Sequence, residues 1–149
     1  MTKKTTRSAA AKVEATALIL RVREELYAGF TRLLKPYGLT EPQFNVLRIL
    51  RGVGPEGLPS LEVGRRMITR IPDVTRLLDR LEAEGLVTRA RGASDRRLVI
   101  AQLSDKGRNL LAHLDRPVDE FLREFEAPLS ADEVSLLSAL MTRLLSPRP

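Results

Sequence analysis

Thr69-Arg-Ile-Pro-Asp-Val-Thr-Arg-Leu-Leu-Asp-Arg-Leu-Glu-Ala-Glu-Gly-Leu-Val-Thr-Arg89, then Gly92-Ala-Ser-Asp-Arg-Arg97 and Leu103-Ser-Asp-Lys-Gly107, is the stretch on which the organisation of the chain turns. Val74, Leu77, Leu78 and Leu81 recur at i, i+3, i+4 and i+7, so the spacing predicts a helix over 70–84 with that stripe inward. Its opposite side carries Pro72, Thr75, Arg76 and Asp79, flanked by Asp73 and Arg80. Thr69 can cap this helix, with Pro72 in the first turn, and Gly85 ends it. Upstream, Ser60 can cap a short helix through Leu61, Val63 and Met67. Downstream, residues 86–91 and 98–103 are β-branched or alternating runs on either side of 92–97, which predicts a hairpin with a cationic tip.

An amphipathic helix with Arg and hydroxyl groups outward, preceded by a second capped helix, can enter the DNA major groove. There Arg bonds bidentately to guanine O6 and N7, and Thr donates, accepts or touches a thymine methyl. Most surface helices also have polar faces, so the hairpin supplies the needed context. Arg89, Arg91, Arg96 and Arg97 crowd into nine residues with Asp95 the only acid among them. That suits contact with phosphates or a narrow minor groove, and Asp95 can pair with an arginine and fix its pose. The plainer alternative is a solvated hairpin whose charges protect an edge strand.

Outward from this block the chain reads as helices. Residues 9–35 are rich in Ala, Leu, Glu and Arg, with Leu18, Val22, Leu26, Phe30 and Leu33 in one stripe; Pro36 and Gly38 end the run. Thr40-Glu-Pro-Gln43 is a capping box, Leu39 can staple onto Phe44, and the helix continues through Val46, Leu47, Ile49 and Leu50 to Gly52. Ser104 caps a fifth helix bearing Leu111, Leu114, Val118, Phe121 and Phe125, with Pro117 expected to kink or break it before Val118. Ser130-Ala-Asp-Glu133 is a second capping box, opening a helix with Leu137, Leu140, Met141 and Leu144 on one side. The expected class is mainly α with a small β-hairpin (α+β).

Composition narrows the function classes. The 149 residues are 43% hydrophobic and 30% charged, with a formal net charge of +6 that suits an anionic partner. By region, residues 1–57 carry +5, 58–103 carry +3 and 104–149 carry −2. Lys3, Lys4, Arg7 and Lys12 fall in a segment without an acid. Residues 1–10 are expected to be a flexible tail, either simply solvated or touching phosphate. The absence of Cys excludes disulfides, thiolate metal sites and thiol switching, and the single His113 argues against histidine-based zinc sites. No metal or cofactor is expected. No apolar run approaches the roughly 20 residues of a membrane span, and the first residues lack the apolar core of a secretory signal. The expected location is the cytoplasm.

The quoted run, the Asp95-Arg-Arg97 triplet and Leu103-Ser-Asp-Lys-Gly107 together closely resemble the MarR family of winged-helix regulators, over roughly residues 11–145. The resemblance implies a winged helix-turn-helix lobe over about 40–103, and dimerisation helices over about 11–36 and 104–145. It implies a homodimer on a palindromic operator, often a repressor, released in many members by a small aromatic or anionic effector. The DNA contacts carried over are Ser60, Thr69, Arg70, Pro72, Asp73, Thr75, Arg76, Arg80, Arg91, Asp95, Arg96 and Arg97. Leu18, Val22, Leu114, Val118, Phe121, Phe125, Leu137, Leu140, Met141 and Leu144 are the expected dimer residues. Their alternative role is packing onto the chain's own core.

Tyr27, Phe30, Tyr37 and Phe44 gather where that family has its effector pocket, with Arg23 or Arg32 able to meet a carboxylate; each aromatic also has an ordinary core role. His113 borders an apolar helical seam, as an interface or surface histidine or as a ligand. Gly64 stands where the family usually has Ala, which weakens its helix by up to about 1 kcal/mol. Ser104 stands where Thr is common. The lack of Cys removes the cysteine-oxidation mechanism of one branch.

Two other classes compete. A non-specific architectural DNA binder would draw on the net charge and the basic N-terminal segment. An enzyme is disfavoured: Glu24/Glu25 and Asp119/Glu120 are sequence neighbours that point about 100° apart on a helix. No phosphate loop, nucleophile elbow or metal triad appears either.

Overall fold

Good helix formers with no proline before Pro36 produce a long first helix, α1 (Thr2–Leu34). It begins well before the expected residue 9, so the backbone of the segment read as a tail is helical. The alanines at 9–11 favour continuation over fraying. The computed structural model describes the backbone of residues 2–92 and 95–146 and the side chains from Val13 onward. The side chains of Lys3, Lys4, Arg7 and Lys12, and the Ala93-Ser94 tip of the hairpin, lie outside it.

A 3-10 turn (Lys35–Tyr37) closes α1, and α2 (Glu41–Val53) opens on the expected capping box. Gln43 N–H donates to the Thr40 hydroxyl at 3.4 Å, while Thr40 N–H donates to Gln43 Oε1 at 2.9 Å. Leu39 and Phe44, the expected staple pair, are both buried. A two-residue strand β1 (Leu58–Pro59) leads into α3 (Ser60–Arg66). Then come α4 (Val74–Ala83), β2 (Val87–Arg91), β3 (Val99–Leu103), α5 (Asp105–Glu126) and α6 (Ala131–Leu145).

The hairpin pairs in antiparallel register, Val87 opposite Leu103 and Arg91 opposite Val99. β1 adds to the outer side of β3, giving the order β1-β3-β2. A third strand was not expected, because two residues ending in a proline carry no alternation to read. The chain divides into two compact units, one ending at Ala112 and one beginning at His113. In the first, Val46, Leu47, Leu50, Val63, Leu78, Leu81, Val87, Ala101 and Leu111 are buried. Burying each such Leu or Val stabilises by about 1.5–3 kcal/mol.

Two helix boundaries differ from expectation. Asp73, not Thr69, caps α4: its carboxylate accepts from Arg76 N–H at 2.9 Å. Proline disfavours helical geometry in the residue before it, so Ile71 stays out of the helix. Thr69, Arg70 and Pro72 therefore lie in the connection from α3. Ser60 is likewise the first residue of α3 rather than its cap, and its hydroxyl donates to the Val99 carbonyl at 3.2 Å. Pro117 does not break α5, which continues through it. A proline costs one backbone hydrogen bond there, and its helix-forming neighbours hold the rest.

Candidate nucleic-acid interface

α4 presents the face its spacing predicts. Leu77, Leu78 and Leu81 are buried and Val74 is half-buried, while Thr75, Arg76, Asp79 and Arg80 are exposed. Asp73 does more than cap: its carboxylate also pairs with the Arg76 guanidinium at 3.4 Å. One acid thus satisfies the helix N-terminus and leans Arg76 along the helix.

The connection before α4 is pinned from below. Asn45, buried on α2, accepts from the Ile68 N–H at 3.0 Å through its Oδ1. Thr69, Arg70 and Pro72 follow as exposed residues on that anchored backbone. Gly64 has a packing role here that the sequence reading as a weak helix position missed. A Cβ at Gly64 would stand 2.9 Å from Val74 Cγ2, so its absence lets α3 approach the first turn of α4.

The hairpin closes on itself. Gly92 N–H donates to the Leu98 carbonyl at 2.9 Å, and the Arg91 guanidinium donates to the Arg96 carbonyl at 3.1 Å. Asp95 was expected to pair with an arginine side chain; its carboxylate instead accepts the Arg97 backbone N–H at 2.9 Å. This local side chain-to-backbone bond shapes the turn and leaves Arg96 and Arg97 exposed.

Arg89 departs from the expectation of a hairpin arginine held outward. It turns back onto α4, where its guanidinium reaches both Asp79 and Glu82 at 2.6 Å. The hydrogen bond with Glu82, foremost, holds its pKa above the ordinary guanidinium value. The sequence signal for this pair was present: an acid and an arginine seven residues apart across a Gly85 turn.

α3, the α3–α4 connection, α4 and the hairpin border one open cleft of about 830 Å³. Ser60, Arg65, Arg70, Thr75, Arg89 and Arg97 all line it, so expected base-reading and wing residues share one concave surface. Arg65 is an addition, since its helix was read for its cap, its apolar positions and Gly64. A basic concavity of this kind focuses negative partners.

Away from that cleft, Phe30 and Phe44 have ring centroids 6.1 Å apart, and the Arg23 guanidinium lies 5.8 Å from the Tyr27 ring centre. Arg23 also pairs with Glu24. Tyr27 and Tyr37 are partly exposed. Burial pushes the nearby Glu41 carboxyl above its ordinary value, and Arg23 opposes that.

The expected dimer residues separate by exposure. Leu18 and Val22 of α1 and Leu137, Leu140 and Leu144 of α6 are exposed, while Val118, Phe121, Phe125 and Met141 are half-buried. Leu114 differs from the rest in being fully buried within the single chain. His113 is exposed. Among the described residues, no cluster of His, Cys, Asp or Glu is arranged to hold a metal ion. Among them also, no helix is long and apolar enough to cross a membrane.

Two helices joined by an anchored connection and followed by an arginine-bearing hairpin, which β1 extends to a three-stranded sheet, define a winged helix-turn-helix DNA-binding protein. The sequence profile of the MarR family matches residues 39–99. A MarR transcription factor from Planctomyces limnophilus is 37% identical, with a TM-score of 0.68 over 87% of this chain and 93% of that one. A MarR variant from E. coli, solved in complex with operator DNA, is 26% identical, with a TM-score of 0.82 over 91% of this chain and 96% of that one. The homoprotocatechuate degradative operon repressor of Escherichia coli is 27% identical over 88% of this chain and 87% of its own length. The chain belongs to the MarR family of transcriptional regulators.

Proposed function

We propose that this regulator binds a palindromic operator as a homodimer and represses the adjacent gene. In that reading α4 enters the major groove and the β2–β3 hairpin lies along the minor groove and backbone. The observation that carries it is the shared cleft, which Thr75 of α4 and Arg97 of the hairpin both line together with Arg65 and Arg70. Thr75 and Arg76 face the bases from the first turn of α4. Arg91, Arg96 and Arg97, with Ser60, Thr69 and Arg70, meet phosphates and the minor groove. Asp73 and Asp95 act by holding Arg76 and the Arg97 backbone, and Pro72 and Arg80 border the contact.

Two-fold pairing supplies what one lobe lacks. A single helix-turn-helix contacts too few bases for typical operator affinity, and a dimer doubles the contacts. The exposed leucines support this: α6 has no buried residue in the single chain, and Leu18 on α1 is 50% exposed. Repression follows the role of the E. coli operon repressor. The role requires residence with the chromosome, in the cytoplasm. A small aromatic or anionic effector, bound among Arg23, Tyr27, Phe30, Tyr37 and Phe44, releases the DNA. The chain has no cysteine, so thiol oxidation is not its signal.

A gel-shift titration against the DNA upstream of its own gene tests the reading. The expected result is a specificity ratio above about 10³ over random duplex. Equal affinity for both would instead favour a non-specific architectural role. A thermal-shift panel of aromatic acids tests the effector, with stabilisation expected from at least one acid that also lowers DNA affinity.

A further inference from the structure

We propose that Arg89 is a positioning residue that clamps the wing to α4 through Glu82 and Asp79, so that helix and hairpin meet DNA as one rigid reader. This rests on the DNA-binding role above. Glu82 grips Arg89 twice. Its Oε1 accepts the Arg89 backbone N–H at 3.1 Å, and its Oε2 accepts Nε and Nη2 at 2.9 Å and 2.6 Å. Asp79, one turn earlier on the exposed face of α4, accepts from the same Nη2 at 2.6 Å. Main chain and side chain of one strand residue are therefore fixed to two points on one helix.

α4 and β2 are joined directly through Gly85 and Leu86, and the base of the hairpin is seated by the buried Val87 and Ala101 and by the β1–β3 pairing. The clamp ties the middle of β2, where Arg89 pairs with Ala101 of β3, to the exposed side of α4 as well. Isolated surface ion pairs contribute little, but the Arg89 side chain is only 18% exposed and is shared by two acids. So enclosed, it has little surface left for phosphate. The two acids also carry the wrong charge for a DNA-facing helix. A clamp explains why they are there.

Simple electrostatics and the clamp make opposite predictions. Removing a negative charge beside DNA should tighten binding, whereas releasing the wing should weaken it. Wild type, Glu82→Gln, Arg97→Ala and the double variant are titrated on specific and random duplexes, with Tm as a check of folding. Glu82→Gln is expected to weaken specific binding about tenfold. The double variant should bind no worse than Glu82→Gln alone, because an unpositioned wing has already lost the Arg97 contact. Arg89→Lys keeps the charge but not the forked geometry, and should behave like Glu82→Gln.

Amide hydrogen exchange without DNA is the arm independent of operator recognition. Exchange in Glu82→Gln should rise at 87–91 and 99–103 and stay unchanged in α2. Failure of wild type to discriminate between duplexes, with this local rise present, would overturn the operator reading and leave the clamp standing. Tighter binding by Glu82→Gln, additive losses in the double variant, or unchanged exchange in the hairpin would each overturn the clamp.

Discussion

Gly107, in the first turn of α5, lies against the backbone of Leu86: a Cβ on it would stand 2.2 Å from the Leu86 carbonyl oxygen. The contact explains the glycine of the Leu103-Ser-Asp-Lys-Gly107 motif. Around it, the Ser104 hydroxyl donates to the Gly85 carbonyl at 2.7 Å and accepts from Gly107 N–H at 3.0 Å. Lys106 Nζ donates to the Glu84 carbonyl at 2.7 Å. The motif thus docks the start of α5 onto the turn between α4 and β2. A backbone oxygen cannot move aside as a side chain can. Gly107→Ala is expected to destabilise by at least the 1–3 kcal/mol usual for overpacking. Urea unfolding measures this, and an unchanged midpoint would refute the close approach.

Arg76 and Arg97 should fail differently. Arg76→Ala is expected to lose about 1–3 kcal/mol of discrimination between operator and mismatched duplex, because a base contact is removed. Arg97→Ala should weaken all sequences alike and reduce the salt slope by about one. Titrations at several salt concentrations separate the two, and identical behaviour on both duplexes would count against the division of labour.

The capping boxes make a local, measurable pair. Thr40→Ala should cost about 1 kcal/mol, with the operator specificity ratio preserved in the folded fraction. At α6, the Ser130 backbone and side chain hold the Glu133 carboxyl below its ordinary value of 4.5. That contribution is complete above the ordinary value and is lost as pH falls through the lower, folded-state value. A carboxyl-carbon NMR titration of Glu133 should have its midpoint below 4.5, returning toward the ordinary value in Ser130→Ala.

Charge on the exposed α6 leucines should separate the protomers. Leu137→Glu with Leu140→Glu is expected to halve the mass found by sedimentation at micromolar concentration, while helical content measured by circular dichroism persists. A wild-type protein that sediments as a monomer would exclude the proposed assembly.

Much of this was legible because local chemistry dictated it. The Val74-to-Leu81 spacing gave the buried face of α4, and the two Ser/Thr-x-x-Gln/Glu boxes gave the starts of α2 and α6. Boundaries were lost where two local signals competed. Thr69 and Asp73 are both good caps, and the intervening Pro72 decides for Asp73 by keeping Ile71 extended. Contacts between elements were less readable still. Arg89 has the same composition signal as Arg91, Arg96 and Arg97, and its fate depends on acids on a different element. Asn45 carries no local signal of its role, because its partner is the Ile68 amide 23 residues away. Gly64 looked like a helix weakness until Val74 was seen beside it.

Selection of bound duplexes from a random-sequence pool tests the central claim most directly. The account predicts an enriched inverted repeat with half-site centres about 10 bp apart, and loss of that enrichment in Arg76→Ala. A wild-type pool without a consensus, or the same consensus recovered by Arg76→Ala, would contradict it.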